Sequence, residues 1–285
     1  MKRFSLLLVS LFLIVSLNTI ILVPQAAPAA VDEATPSAAS QDTQPGELRF
    51  ERLTVDDGLP HSTVLSALQD SEGFMWFATA DGLARYDGYE FTIFRHDNQD
   101  PNSLSHNNLF ALIESQDGLL WIGTDNGGLN SYDRKTGHFT AYRNDPEDPN
   151  SLVNDSVWSL LEDSQGILWI GTRGGLSRFD RTTNTFTNYL ANPDDPHALA
   201  NSVIYRIYED KSGTVWLGTR AGLHRYNPDE DNFTIFLNDP ENPQSIINSN
   251  IWSMLEDSRG NFWVGTRKGG LGKFDRQTGE FQLFS

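Results

Sequence analysis

Cysteine is absent from the 285 residues, which excludes disulfides, thiolate metal sites, a cysteine nucleophile and lipid attachment through cysteine in one step. Stability has to come from packing. Positive charge is scarce as well: 21 Lys and Arg stand against 38 Asp and Glu, a formal net charge of −17. That field repels phosphate backbones and anionic lipid heads, so neither nucleic acid nor a membrane surface is expected as a partner of the folded part. The six histidines, His61, His96, His106, His138, His197 and His224, have no metal-ligand spacing and read as loop or surface residues. No metal, no cofactor and no catalytic triad is expected.

Long hydrophobic runs are missing too, with one exception. Lys2 and Arg3 precede an apolar stretch from Phe4 to Val23, followed by Pro24 and small residues that offer a cleavage site at Ala27 and Ala29. Residues 1–29 read as a secretory signal, or as an N-terminal membrane anchor if retained; a buried N-terminal helix is the disfavoured alternative. Either main reading exports the chain to the periplasm or cell surface. Residues 30–46, rich in Ala, Pro, Ser and Thr, form a linker.

What the rest contains is a repeat. One phrase recurs five times, with its tryptophan at Trp76, Trp121, Trp169, Trp216 and Trp263, spaced by 45, 48, 47 and 47 residues. Each copy holds four short runs of alternating apolar residues separated by turn chemistry, such as Asp163-Ser-Gln-Gly166 and the glycines at 82, 128, 175, 222 and 270. Four strands in about 47 residues is the signature of a propeller blade. The fold class is therefore an all-β propeller of four-stranded antiparallel blades over 47–285, with blades at about 54–94, 105–142, 153–190, 201–237 and 248–285. The five tryptophans are assigned to the core between blades.

In the first strand of each blade, Leu65, Phe110, Trp158, Tyr205 and Trp252 alternate with Ser66, Ala111, Ser159, Arg206 and Ser253. Bulky and small residues thus face opposite sides of the sheet, the small ones where blades converge. Residues 48–53 match a fourth strand that lacks its first three partners. Such a strand closes a ring in other propellers. The expectation is an incomplete ring of the seven-bladed type, the missing strands lying beyond this sequence; a closed five-bladed ring with a redundant strand is the alternative.

The phrase Asp163, Gly166, Trp169, Gly171, Thr172, Gly175, Leu176, Phe179 and Asp180 resembles the two-component regulator propeller family, and Asp57-Gly-Leu-Pro60 with Asp81-Gly-Leu-Ala-Arg-Tyr-Asp-Gly88 resembles its first blade. The resemblance covers nearly all of 47–285. It implies the extracytoplasmic sensor of a membrane-spanning regulator, ordinarily two propellers, a β-sandwich, a transmembrane helix and a cytoplasmic kinase or cyclase, with oligosaccharides as inducers of several members. No kinase histidine box or nucleotide-binding glycine loop occurs in this sequence. Homodimerisation of the full receptor is left open.

Ligand-binding candidates lie where the repeats differ. The short turns after the second strands carry Asp125 and Asn126, then Arg173, Arg220, and Arg267 with Lys268. Three equivalent arginines on an acidic background suit a carboxylated or sulfated sugar; pairing with nearby loop aspartates is the alternative. Arg206 stands where other blades have Ser or Ala and is expected at the central channel. The long acidic interblade loops read as turn-forming rather than calcium-binding. Nearly every Asp has counterparts in other blades, so no carboxylate pair marks an active site. The leading reading is a sensor of a small molecule or oligosaccharide with no chemistry of its own, against a secreted carbohydrate-active enzyme or an interaction scaffold.

Overall fold

Strands form where the sequence alternates, and the turns between them are made by side chains that bond their own backbone. The computed structural model describes residues 20, 21, 50–246 and 248–284. Twenty strands fall into five antiparallel sheets of four, each in sequence order. The innermost strands are Val64–Gln69, Leu109–Glu114, Val157–Glu162, Ile204–Glu209 and Ile251–Glu256. They lie side by side from the first blade to the fifth, and the described blades close no ring. The expected signal or anchor and the linker lie outside the described residues, apart from Ile20 and Ile21, which pair with Glu51–Arg52. That short strand is what is described of the expected closing strand at 48–53.

The family-like phrase has a physical reading in every blade. Asp163 accepts backbone N–H groups from Gln165 and Ile167 through Oδ1, and the Trp169 indole N–H through Oδ2 at 2.8 Å. The turn and the core tryptophan are fixed by one carboxylate. Asp70, Asp210 and Asp257 do the same for Trp76, Trp216 and Trp263, and Ser115 substitutes for Trp121. Each of the first four tryptophans then meets the third-strand aromatic of the following blade, as Trp121 meets Phe179 and Trp169 meets Tyr226. Trp76, Trp121, Trp169 and Trp216 are buried to within 1%, which places them in the core as expected. Trp263, on the last blade, is half-buried and packs on Phe284 instead.

Close approach explains the small residues. Ser159 pairs directly with Gly171, and a Cβ on that glycine would meet the Ser159 hydroxyl and Ile204 of the next blade. A larger residue at either place would push the blades apart.

On the face where inner strands end, arginines tie neighbouring blades together. Arg134 bonds Asp70 of the preceding blade and Glu114 of its own. Arg181 joins Asp117 and Glu162, and Arg276 joins Asp210 and Glu256. The histidines depart from expectation at one place. His224 lies in the strand Gly222–Asn227 and is fully buried, its Nε2 accepting the Ala200 N–H at 3.0 Å. Five of its strand's six positions read apolar or neutral, and the imidazole is neutral filling among them.

Candidate functional site

The face where inner strands begin gathers the candidate residues. Arg173, Arg220 and Arg267 each donate a backbone N–H to the carbonyl of Ser156, Val203 and Asn250, at 3.0, 3.1 and 2.9 Å. Each acceptor immediately precedes or nearly precedes its blade's inner strand, so the three arginines occupy equivalent places in successive blades. All three are exposed. No ion pair joins them to a carboxylate among the described residues, so the expected alternative of pairing with a loop aspartate is not realised. Arg267 instead lies over the Trp252 ring, 5.3 Å from its centroid, and Lys268 beside it is exposed.

Asp125 and Asn126 are differently employed. The Ser156 hydroxyl donates to both at 3.1 Å, and Asn108 donates to Asp125 at 3.3 Å. They tie the second blade to the third. In the first blade the same turn is closed by an ion pair between Asp81 and Arg95. Arg206 pairs in register with Gly218 and is half-buried; burial lowers its pKa from the ordinary arginine value.

A row of aromatics that sequence reasoning assigned no role runs beside these arginines. In every inner strand the ladder skips one residue, between Val64 and Ser66, Leu109 and Ala111, Val157 and Ser159, Ile204 and Arg206, and Ile251 and Ser253. The skipped residues are Leu65, Phe110, Trp158, Tyr205 and Trp252. A bulge re-aims the side chain it carries, and here successive bulges bring the rings together. Phe110 meets Trp158 edge-on at 5.8 Å, Trp158 stacks on Tyr205 at 5.5 Å, and Tyr205 lies 5.4 Å from Trp252. All four are half-buried. The Trp252 indole donates to Asn250, whereas the buried Trp158 Nε1 has no hydrogen-bond partner. The column of bulky residues was visible in the sequence; the bulge that turns it into one continuous row was not.

The arrangement is chemically simple: flat apolar rings for stacking and three exposed guanidinium groups, none ion-paired among the described residues, for bidentate hydrogen bonds. The opposite face has an open cavity of about 470 Å³ whose lining includes Glu114, Leu161, Glu162, Asp163 and Glu209. The long loops are self-contained turns. In each of three, a Ser hydroxyl accepts the backbone N–H of the Asp six residues before it and donates to that residue's carbonyl, as Ser103 does to Asp97, Ser151 to Asp145 and Ser245 to Asp239.

The two component regulator propeller repeat matches at residues 58–81, 103–126, 151–174, 198–221 and 245–268, once in each blade. The chain belongs to this family. It is 38% identical over 68 residues to histidine kinase P4 of Formosa agariphila, a match that covers 24% of this chain and 5% of the kinase. The extracellular domain of a protein named as a hybrid two component system of B. thetaiotaomicron superposes with a TM-score of 0.71 at 29% identity over 81% of this chain. The extracellular domain of a second protein of that organism, named as a one component system, gives 0.63 at 27% over 78%. The propeller chain spans 31% of each of these two domains.

Proposed function

We propose that this propeller is the extracytoplasmic ligand-sensing part of a two-component signalling protein, that it performs no chemistry itself, and that it binds an oligosaccharide carrying carboxylate or sulfate groups. The observation that carries the reading is the aromatic row Phe110–Trp158–Tyr205–Trp252 flanked by Arg173, Arg220 and Arg267, none of them ion-paired. Sugar rings offer C–H faces to aromatic rings, and acid groups match the guanidinium fork. Specificity on an acidic protein then rests on a local basic sector, since the net charge elsewhere repels non-specific anions. Export is supported by the N-terminal apolar run and by the extracellular relatives. Output, by a kinase or another effector, belongs to the larger protein and is inferred from the company the family keeps.

A thermal-shift screen of neutral, uronate-bearing and sulfated oligosaccharides tests the reading. Acidic oligosaccharides should raise the melting temperature saturably, and the neutral series should not. No shift with any saccharide rules out sugar sensing by this propeller.

A further inference from the structure

Four interfaces join the five blades, and three of them are fastened by the same device. The arginine two residues after the third-strand aromatic, Arg134 after Tyr132, Arg181 after Phe179 or Arg276 after Phe274, reaches a carboxylate on the preceding blade's first turn and the glutamate that ends its own blade's inner strand. Arg134 and Arg276 also donate to the carbonyls of Gly118 and Gly260 at 3.0 and 3.1 Å. Between the third and fourth blades the corresponding residue is Pro228, which carries no cation. The acceptors are nevertheless kept: Asp163 on the third blade, Glu209 at the end of the fourth blade's inner strand and the carbonyl of Gly213.

Donor counts at the buried aspartates show the difference. Asp70 Oδ2 takes the Trp76 indole and the Arg134 guanidinium, both at 2.7 Å. Asp210 Oδ2 takes Trp216 and Arg276, both at 2.9 Å. Asp163 Oδ2 takes Trp169 at 2.8 Å and has no ion-pair partner among the described residues, although Asp163 is only 5% exposed. Glu209 bonds the backbone N–H and hydroxyl of Ser164, as Glu114 bonds those of Ser71, and again lacks the arginine that Glu114 has. The cavity described above opens at this point, with Asp163, Ser164 and Glu209 in its wall.

We propose that the Asp163–Glu209 site between the third and fourth blades binds a guanidinium group from outside the fold, either a free arginine-like molecule or an arginine side chain of another protein. The sister interfaces are the observation that points to this ligand: Asp70 with Glu114 and Asp210 with Glu256 hold a guanidinium at the same pair of positions, and where Ser115 replaces the aspartate, Arg181 bonds Glu162 and the nearby Asp117 instead. Bidentate hydrogen bonds to two carboxylates and one carbonyl favour the planar fork over the ammonium of lysine. This site lies at the end of the inner strands away from the aromatic row and does not depend on the sugar reading.

Thermal unfolding of the 285-residue chain against rising free L-arginine, with L-lysine as control, tests the proposal. Arginine should raise the melting temperature saturably, with lysine much weaker. Glu209→Gln should abolish the response, and it keeps the test meaningful should Asp163→Asn, which touches the core tryptophan, fail to fold. Pro228→Arg supplies the group internally. It should melt about 2–4 °C higher without ligand and no longer respond to arginine. An arginine-containing tripeptide that saturates at equal or lower concentration than the free amino acid assigns the source to a protein side chain; the reverse order assigns it to a small molecule. Absence of a saturable response in the natural sequence, or a full response retained by Pro228→Arg, overturns the proposal.

Discussion

His224 is the residue whose chemistry most clearly departs from its surroundings. It is fully buried, its Nδ1 has no partner, and burial pushes its pKa down to about 4. The unfolded chain binds a proton at this side chain from pH 6.5 downward, whereas the folded chain does so near pH 4. Stability contributed by the neutral imidazole is therefore complete above pH 6.5 and falls by about 3 kcal/mol on descending to pH 4. Urea unfolding at pH 7 and pH 4.5 measures this, and His224→Gln should flatten that part of the profile. Sequence alone read this histidine, like the five others, as a loop or surface residue, because a single polar residue in an alternating strand carries no mark of which face is covered. The tryptophans were legible for the opposite reason: recurring once per blade in a fixed phrase, they had to serve whatever every blade shares.

At the scale of the element, the blade was readable and its joints were not. Asp163, Gly166 and Trp169 are close in sequence, so their turn and its bond to the indole follow from local spacing. Arg276 and Asp210 are 66 residues apart, and nothing local links them. The bulge at Trp158 was hidden likewise, since skipping one residue in the ladder leaves the apolar pattern on both sides intact. The arginine joints make a prediction of their own. Hydrogen bonds from Arg276 hold the Glu256 carboxyl below its usual range. Arg276→Ala removes the guanidinium shared by Asp210 and Glu256 and should cost about 2 kcal/mol near neutral pH, less than a fully buried pair because the arginine is 28% exposed. With a depressed glutamate pKa, the joint's contribution is present above the ordinary carboxylate range and fades as pH falls through the folded value. The gap between Arg276→Ala and the natural protein should accordingly narrow in acid, as followed by chemical denaturation.

For the whole molecule, packing is a chain of nearest-neighbour interfaces, so stability should be uneven along it. Leu83, Leu129, Leu176 and Leu223 are wholly buried by the next blade, whereas the equivalent Leu271 is 43% exposed and Phe284 44%. Hydrogen exchange should be slowest in the second strands Leu120–Thr124, Leu168–Thr172 and Val215–Thr219, and fastest in Gly270–Phe274 and Phe281–Phe284. Uniform protection across the five blades would contradict this. The first blade is better covered, because Leu59 and Leu53 pack over Phe77 and Ala84. Fold and family were thus legible from the repeat, while the binding face was only half so. The arginines stood out by differing between blades, and the aromatic row emerged once the blades were set side by side.

The central claim is that this row and its three arginines form a binding face for acidic saccharides. Titration calorimetry with an acidic oligosaccharide from the thermal screen tests it most directly. Replacing Arg173, Arg220 and Arg267 together by Ala should weaken binding at least tenfold, about 1.4 kcal/mol or more, and leave the melting temperature nearly unchanged because none is ion-paired. Trp158→Ala should weaken binding of the same ligand. Unaltered affinity in both variants would contradict the account.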